Sequence, residues 1–330
     1  MPTPPRPRDA VADGQLQPGA SKLDRMRFRA SWMYYVEQMT QNDIALALGI
    51  GRVTVVRLLA EARMRNEVQI SVTGGLAELT ELERALEARF GLDRAIVAPL
   101  SVPAADPAPV ISKAIGNYLS ETVQSGMTVG LGWGRTLLES LPHVQAPSVG
   151  DLRVISLLGG ISHAHTFNPS EFSWRFAQIF KGDAYLLAAP AIVDSTATKT
   201  ALIDRCGLDV VMQMADDIDL LVVSVGSIQR DATTFRTGYI GEARRQALKK
   251  AGAVGDLLFH FMDAEGEIVD PALDERVMSV RIEQMRAARM RVLASGGPDK
   301  DLVLRAAMRF LSPTVFITDE QTAQRLLQEA

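Results

Sequence analysis

A glycine-rich segment after one of the apolar runs carries groups suited to binding a polar ligand. Residues 130–136 read GLGWGRT, where a strand pattern ends and a helix pattern begins. Glycine lets a ligand approach the backbone closely, and free N–H groups at a helix start bind anions or sugar hydroxyls. A tight strand-to-helix turn without a ligand is the alternative. On the binding interpretation the contacts are Gly132, Trp133, Gly134, Arg135 and Thr136.

This segment lacks the spacing of the common nucleotide-binding motifs. No lysine follows its last glycine, as a P-loop requires. Its third glycine comes two residues after the second, where the dinucleotide fingerprint needs three. We therefore expect no nucleotide cofactor.

A second polar segment, LLGGISHAHTFNP at 157–169, follows the next apolar run. His163 and His165 have a spacing that metal ligands can adopt, but no cysteine or carboxylate cluster completes a zinc set. The same spacing fits two histidines that bond to a ligand or partner, and it fits a plain exposed loop. We expect no metal, and we assign Gly160 and Asn168 to the ligand site.

Three later strand ends also carry polar residues. Asp194 follows the run PAIV and can accept hydrogen bonds from sugar hydroxyls, and VSVGSI contributes Gly226 and Ser227. ASGGPDK contributes Gly297 and Lys300. A lysine behind paired glycines at a helix start suits a phosphate or carboxylate. An ordinary surface lysine is the alternative.

The titratable residues near these segments do not form a catalytic set. General acid–base chemistry needs a base positioned next to an acid of shifted pKa. His163, His165, Asp194 and Asp256 are available, but their spacing pairs none of them. We therefore expect a binding protein and not an enzyme, with a sugar-phosphate isomerase or deaminase as the alternative.

Apolar runs that alternate with helix patterns after Leu92 position these segments. Such alternation predicts a mostly parallel sheet with helices on both faces, and small molecules bind beyond the carboxyl ends of its strands. We predict an α/β domain over 74–330, with strands at 94–100, 127–132, 152–158, 184–189, 218–226, 254–261, 290–297 and 314–319. Its helices are predicted at 109–126, 134–141, 170–180, 241–252, 300–311 and 320–330.

One more helix pattern, at 76–90, carries leucines on a single stripe. The stripe fits either a seam between subunits or packing against the domain that follows, and the second is favoured because two heptads are short for a coiled coil.

Residues 22–73 have the pattern of a small helical domain. Thr40 and Asp43 predict the start of a short helix at 41–48, and Gly49 predicts its end. A second helix follows at 52–65, and the alternating residues 66–72 predict a short strand. Two helices joined by a glycine turn form a winged helix-turn-helix unit. An all-helical packing module without nucleic acid is the alternative.

The outward side of the second helix has residue types that read DNA bases. Arginine can donate two hydrogen bonds to guanine, and valine or threonine methyls contact the thymine methyl. We assign DNA contacts to Thr40, Gln41, Arg52, Val53, Thr54, Val56, Arg57 and Arg63. Contacts to phosphate, which position a protein without reading sequence, are assigned to Arg27, Arg29, Arg63 and Arg65. A solvated surface charge is the alternative for each arginine.

The charge distribution is uneven although the net charge of the 330 residues is only −4. Residues 1–73 hold ten basic and seven acidic side chains, and the remainder holds 25 and 32. A basic small domain on an acidic large one suits a DNA reader attached to a sensor. The proline-rich residues 1–21 predict a disordered lead. One cysteine and no long apolar run predict a cytoplasmic protein without a membrane span.

Taken in order, these motifs resemble the SorC-type sugar-binding transcriptional regulators, relatives of the deoxyribonucleoside and central-glycolysis repressors. The likeness covers LALGIGRVTVVRLLAEAR in the small domain, then GLGWGRTL, SLLGGIS, AAPAIVDS, VSVGSI, VGDLLFHFMDAEGEIV, VLASGGPDK and TVFITDEQTAQRLL. The family's effector domain is similar to sugar-phosphate isomerases and deaminases of the glucosamine-6-phosphate deaminase type, but it binds without turnover. The resemblance implies effector contacts at Gly132, Arg135, Thr136, Gly226, Asp256 and Lys300.

The resemblance also implies a homodimer or homotetramer on double-stranded operator DNA that responds to a sugar, sugar phosphate or polyol. Two departures bear on this expectation. Gly51, Val53 and Val56 replace serines common at the start of the family's recognition helix, which predicts a different operator. Leu158 stands where some relatives have a lysine, so we expect noncovalent effector binding without a Schiff base.

Overall fold

The computed structural model describes residues 21–65, 67–68, 77–102, 105–145, 149–161, 168–236 and 238–328. The chain divides into two compact units, Met1–Thr73 and Gly74–Ala330. The predicted lead before Ser21, most of the predicted strand at 66–72, and both His163 and His165 lie outside the described residues. Within the described ranges, no helix is long and apolar enough to cross a bilayer.

The described part of the first unit contains three helices, α1 (Lys22–Tyr35), α2 (Gln41–Leu48) and α3 (Arg52–Met64). Their core is formed by side chains from all three helices, namely Ala30, Ile44, Val55, Leu58 and Leu59. The apolar positions of α3 recur at helical spacing, so one face packs inward and the opposite face stays free.

The turn between α2 and α3 has the local chemistry that the sequence predicts. The Thr40 hydroxyl accepts the Asp43 amide at 3.3 Å and donates to the Asp43 carboxylate at 2.6 Å. Gly49 ends α2 in the left-handed conformation, with φ 63°, which glycine adopts without steric cost. The Ile50 amide then donates to the Ala45 carbonyl at 3.0 Å and closes the turn.

The second unit is built on a seven-stranded sheet in which every pairing is parallel. In chain order the strands of this sheet are β1 (Arg94–Ala98), β2 (Thr128–Leu131), β3 (Arg153–Ser156), β4 (Asp183–Tyr185), β5 (Leu220–Val223), β9 (Met290–Ala294) and β10 (Val315–Asp319). Their spatial order is β1-β10-β9-β5-β2-β3-β4. A separate antiparallel sheet holds β6 (Gly226–Ser227), β7 (Gly255–Leu257) and β8 (His260–Met262).

Helices cover both faces of the parallel sheet, as the near-continuous apolar strands predict. In β5, Leu221 and Val223 join one core while Leu220 and Val222 join the other, because successive side chains point to opposite faces. The helices are α4 (Ala77–Phe90), α5 (Ala108–Thr122), α6 (Arg135–Ser140), α7 (Pro169–Phe180), α8 (Thr196–Arg205), α9 (Asp209–Met214), α10 (Thr233–Arg236), α11 (Glu242–Lys250), α12 (Pro271–Asp274), α13 (Ile282–Ala287), α14 (Asp301–Leu311) and α15 (Glu320–Gln328). The leucine stripe of α4 packs into the core of its own unit through Leu79 and Leu86.

The structure corrects two sequence predictions in this unit. The run 254–261, predicted as one strand, is a hairpin of β7 and β8 that belongs to the small sheet. Its turn residues Leu258 and Phe259 both have positive φ and are buried. Because both are apolar, the sequence has no polar or glycine residue there to signal a turn. Five helices were also not predicted, namely α8, α9, α10, α12 and α13. Four of them have six residues or fewer, too few to show a helical repeat, and α8 has no fully buried residue.

Candidate functional site

A cavity of about 380 Å³ lies at the carboxyl ends of β2, β5 and β9. After β2 the chain continues to β3 and β4, and it then returns to β5 on the other side of β2. The loops that leave β2 and β5 therefore diverge and open a crevice, which is where open α/β sheets bind ligands. The volume lies within the range of small-molecule pockets.

Most of the ligand residues predicted from the sequence meet in this cavity, although they come from four separate segments. Those that line it are Trp133, Gly134, Arg135, Thr136, Gly226, Ser227, Asp256, Gly297 and Lys300. Polar residues that the sequence did not single out also line the cavity, namely Asp106, Ser224, Asp231, Thr233, Thr234, Arg236 and Asp299.

Arg135 and Asp106 form a two-point ion pair in the cavity wall. The Arg135 guanidinium donates to both Asp106 oxygens, at 2.8 and 3.0 Å. These hydrogen bonds hold the pKa of the Asp106 carboxyl below its usual value. Asp106 lies in the segment before α5, and its only sequence signal was its place two residues ahead of a helix.

Asp256 is a buried carboxyl at the base of the cavity, with 2 % of its surface exposed. It accepts hydrogen bonds from the Thr234 hydroxyl at 2.9 Å and from the Phe259 amide at 3.0 Å. Burial is the main cause that raises the pKa of Asp256 to about 6. Gly226 makes room for the carboxyl, because a Cβ at that position would lie 2.5 Å from the nearer Asp256 oxygen.

Lys300 closes the loop after β9 and points its ammonium group into the same region. Its Nζ donates to the Ser295 hydroxyl at 2.9 Å. Burial, and after it the charge of Arg135, lower the pKa of Lys300 to about 8, while the charges of Asp256 and Asp106 act in the opposite direction. At neutral pH the cavity thus presents a half-buried cationic donor, Lys300, and a buried carboxylate acceptor, Asp256.

The arrangement is suited to a ligand with several hydroxyl groups. Asp256 accepts hydrogen bonds, Lys300 donates them, and the Ser227 hydroxyl can do both. Trp133, 6 % exposed, stacks on Phe259 with ring centroids 5.4 Å apart and supplies an apolar surface. An apolar wall with a few convergent polar groups is typical of small-molecule sites.

The structure does not bring Gly132, Gly160 and Asn168 to this cavity. Gly132 lies beneath it, where its amide donates to the Val222 carbonyl at 2.9 Å. Gly160 and Asn168 line a separate open groove beside Trp174. Asn168 caps α7 by accepting the Ser170 amide at 3.1 Å, so its amide group serves local structure.

Asp194 also lies away from the cavity. It is exposed, and the hydroxyls of Ser195 and Thr198 at the start of α8 occupy its carboxylate. The hydrogen bond with Thr198 is the main cause that lowers the pKa of Asp194. A strand-end aspartate that precedes a helix can serve the helix start as well as a ligand, and position in the sequence does not distinguish the two.

A hydrogen-bonded chain of Asp274, His260 and Ser279 has the residue order of a serine-hydrolase triad. His260 Nδ1 lies 2.6 Å from the Asp274 carboxylate, and Nε2 lies 2.8 Å from the Ser279 hydroxyl. Ser279 and His260 are 3 % and 6 % exposed, and none of the three lines the cavity. A nucleophile must reach its substrate, and these residues are buried. The hydrogen bonds of Asp274, His260 and Ser279 therefore connect β8 to α12 and to the segment after it.

The raised pKa of Asp256 predicts how an Asp256→Asn variant responds to pH. Because the folded protein binds this proton more tightly than the unfolded chain, ionised Asp256 lowers stability above about pH 6, and the penalty disappears as pH falls towards 4. Two pH units correspond to about 3 kcal/mol at most. We expect the variant to melt several degrees above the parent at pH 8 and together with it at pH 4. An equal difference at both pH values would contradict the assignment, and exposed Asp204→Asn is the control.

In the first unit, the outward side of α3 forms a candidate nucleic-acid interface. Arg52, Val53, Val56 and Arg57 are exposed, and Val53 keeps 84 % of its surface. Thr54 is half-buried and Arg63 is exposed further along the helix. The inner side of α3 is buried and its outward side is exposed, as a helix that enters a major groove requires.

A groove of about 600 Å³ runs beside the starts of α2 and α3. It brings together Thr40, Gln41 and Arg52, three of the predicted DNA contacts. Tyr34, Tyr35, Gln38 and Asn42 also line it, and the sequence did not point to them. Hydroxyl and amide donors beside a helix start form a suitable surface for backbone phosphates.

Arg27 was predicted as a phosphate contact, and the structure shows that this assignment was wrong. Its side chain is 2 % exposed and donates to Glu67 at 2.6 Å, to Asp24 at 2.7 Å and to Glu61 at 3.3 Å. Three carboxylates therefore neutralise the guanidinium inside the unit. Arg65 also pairs with Glu61, at 2.7 Å, but remains half-exposed.

An Arg27→Met variant is expected to lose DNA binding because the first unit becomes unstable. Removing the cation leaves three carboxylates facing one another, and a broken buried ion pair costs about 3–5 kcal/mol. We expect the low end, about 3 kcal/mol, because the carboxylates keep some solvent access. Hydrogen exchange of α1–α3 amides measures the loss. Exposed Arg29→Met is the control, and equal protection in both variants would refute the structural role.

The chain matches a known protein family over most of its length. Residues 74–328 match the family model described as "Putative sugar-binding domain". The chain is 31% identical over 309 residues to the deoxyribonucleoside regulator of Bacillus subtilis, covering 92% of this chain and 98% of that protein. It is 29% identical over 306 residues to the erythritol catabolism regulatory protein of Brucella abortus, with 92% and 96% covered.

A solved structure gives the same architecture. The full-length sorbitol operon regulator from Klebsiella pneumoniae superposes with a TM-score of 0.69 at 24% identity, covering 92% of this chain and 99% of that chain. At this identity the structural likeness concerns the fold. The family model covers the second unit, and the two sequence relatives cover 92% of the chain. The chain belongs to the SorC-type family of sugar-binding transcriptional regulators.

Proposed function

We propose that this chain binds operator DNA through its first unit and changes its DNA affinity when a carbohydrate or polyol occupies the cavity of its second unit. The observation that carries the proposal is the cavity itself, where Asp256 and Lys300 face a crevice at the switch point of a sugar-binding domain. The chain's relatives are transcription regulators and not enzymes.

The effector contacts we propose are noncovalent. Asp256 and Lys300 bind hydroxyl or anionic groups, Thr136, Gly226, Ser227 and Gly297 surround them, and Trp133 packs against carbon atoms. Leu158 is fully buried and has no amine, so a Schiff base does not form at that position. The ligand class is therefore a sugar, a sugar phosphate or a polyol held by hydrogen bonds.

The DNA contacts we propose divide between two surfaces of the first unit. Arg52, Val53, Thr54, Val56 and Arg57 on α3 face base edges in the major groove. Thr40 and Gln41 contact phosphate beside the start of α2, and Arg63 contacts phosphate further along α3. This division assigns base reading to one side of one helix.

Assembly as a homodimer or homotetramer is part of the proposal. A helix-turn-helix monomer reads one half-site, and two half-sites are read by two copies related by symmetry. An effector that changes the geometry between copies then changes the spacing that the pair can fit.

DNA binding is tested with the purified chain and a labelled fragment from upstream of its own gene. We expect a shift whose logarithmic affinity falls linearly with the logarithm of the salt concentration, because phosphate contacts release counterions. No shift, or an affinity independent of salt, would refute the DNA-binding half of the proposal.

Effector binding is tested by thermal melting with a defined panel. The names of the relatives mention erythritol, deoxyribonucleosides and sorbitol. The panel therefore contains erythritol, sorbitol and deoxyadenosine, and we add the monophosphate of each because Lys300 suits an anionic group. A ligand that binds only the folded state raises the melting temperature by mass action. No shift with any member of the panel would count against a cavity for this class of compound.

A further inference from the structure

Helix α4 covers the free edge of the parallel sheet. It is the first described element of the second unit, so the covalent path from the first unit to the cavity passes through it. Among the described residues, strand β1 lies at one edge of the sheet and pairs with β10 alone. On its other side, Glu87 accepts the Ala95 amide at 2.9 Å and Glu83 accepts the Val97 amide at 3.0 Å.

These two bonds fix α4 in one register along β1. Four residues of helix advance about 6.0 Å, and two residues of strand advance about 6.6 Å. The glutamates therefore match two consecutive outward-facing amides of the edge. Sliding α4 along β1 by one helical turn removes at least one of these hydrogen bonds. The helix therefore has a defined position along β1 and not a continuous range of positions.

Helix α15 connects the cavity loop to the same helix. At its start, the Thr322 hydroxyl accepts the Gly297 amide at 2.9 Å and donates to Asp319 at 2.6 Å. At its end, the Leu327 carbonyl accepts a hydrogen bond from Arg89 of α4 at 3.0 Å. One rigid element thus contacts the cavity loop at one end and α4 at the other.

Strand β10 gives a second connection between the same two places. Asp319, its last residue, holds Thr322 below the cavity loop and lies opposite Ala98 of β1 in the strand register. Strand β1 in turn supplies the amides that Glu83 and Glu87 bind. A displacement of the Gly297–Lys300 loop therefore reaches α4 through α15 and through the β10–β1 edge.

We propose that α4 is the element that transmits effector binding to the DNA-binding unit, and that Glu83 and Glu87 are the positioning residues that make it respond. The proposal rests on the proposed function and deepens it by naming how the cavity is read out. When a ligand moves the Gly297–Lys300 loop, α15 and β1 shift together and change the position of α4 along the sheet edge. The chain continues from α4 to the first unit.

The test is a Glu83→Ala/Glu87→Ala double variant of the full chain. For parent and variant, the Kd for the upstream DNA fragment is measured with and without each member of the panel of erythritol, sorbitol, deoxyadenosine and their monophosphates. Coupling between sites commonly changes affinity about 5- to 150-fold. We expect the parent to show such a ratio and the variant a ratio below about 2, with unchanged panel-induced melting shifts and unchanged DNA affinity without ligand.

Two matched variants control the test. Glu78→Ala/Glu81→Ala removes two exposed carboxylates from the same helix and should keep the parent's ratio. Glu83→Gln/Glu87→Gln retains the acceptor oxygens and should restore most of it. A double alanine variant with the parent's full ratio would overturn the proposal. A parent without DNA binding or without any ratio would refute the proposed function instead, and this proposal with it.

Hydrogen exchange on the unmodified chain tests the proposal even if the alanine variant folds poorly. The exchange rates of the Ala95 and Val97 amides should change when the panel compound that raises the melting temperature most is added. A change at Gly297 with none at Ala95 and Val97 would show that the signal takes another route, and the proposal would fall.

Discussion

Replacing Lys300 with alanine is expected to abolish the sugar response and to leave DNA affinity without sugar unchanged. Lys300 is a half-buried cation in the cavity wall, and its Nζ donates to the Ser295 hydroxyl at 2.9 Å. A hydrogen bond from a charged donor contributes about 1.5–3 kcal/mol, which corresponds to a roughly 10- to 150-fold loss of effector affinity. The substituted residue belongs to the second unit, so the contacts of the first unit with DNA remain.

Melting shifts with the sugar and polyol panel measure the effect of Lys300→Ala. Exposed Lys249→Ala on α11 removes the same charge outside the cavity and should behave as the parent. Lys300→Met keeps an apolar side chain of similar length. A loss of the melting shift in both Lys300 variants would therefore be caused by removal of the ammonium group. Undiminished melting shifts in both would contradict the assigned role of Lys300.

The pKa values of Lys300 and Asp256 together predict the pH range in which the protein binds its effector. Burial lowers the pKa of Lys300 to about 8 and raises the pKa of Asp256 to about 6. Lys300 loses its charge as pH rises through about 8, and Asp256 loses its charge as pH falls through about 6. Effector affinity of the parent should therefore be greatest between these values.

Replacing Arg57 with alanine is expected to weaken operator binding and to relax base preference at one position. Arg57 is exposed on the outward side of α3, beside Val53 and Val56. A two-point contact between arginine and guanine contributes about 1–3 kcal/mol of discrimination, so the specific Kd should rise roughly 5- to 150-fold. Binding to unrelated DNA should change far less.

Arg57→Lys separates base reading from phosphate contact. Lysine keeps the charge but lacks the planar fork, so a base contact is lost and a phosphate contact is kept. Exposed Arg25→Ala on α1 removes one positive charge from the same unit and serves as the control. If Arg57→Ala lowers affinity for all sequences equally and Arg57→Lys restores it, Arg57 contacts phosphate and the base-reading assignment is wrong.

The sequence predicted the elements better than it predicted their side-chain partners. Continuous apolar strands and helical spacing are local patterns, so the parallel sheet and the bounds of α2 and α3 agree with the structure. Strand ends gather at one edge of such a sheet, and the glycine loops near Trp133, Gly226 and Gly297 accordingly share one cavity. These features need no knowledge of distant contacts.

What the sequence missed depends on contacts between distant residues. Arg27 looks like a surface cation until Glu61 and Glu67 come within bonding distance, which requires the fold of the whole unit. Asp106 is bound to Arg135 across 29 residues. The turn at Leu258 is buried by the tertiary core, so the polar turn residues that mark surface hairpins are absent.

The central claim is that the cavity and the DNA surface are two sites of one regulator, and reciprocal binding tests it most directly. The Kd for the upstream DNA fragment is measured with and without the panel compound that raises the melting temperature most, and the Kd for that compound is measured with and without the DNA. Linkage requires the two ratios to be equal, and we expect both to lie between about 5 and 150. Two ratios of one, with both ligands bound, would contradict the claim.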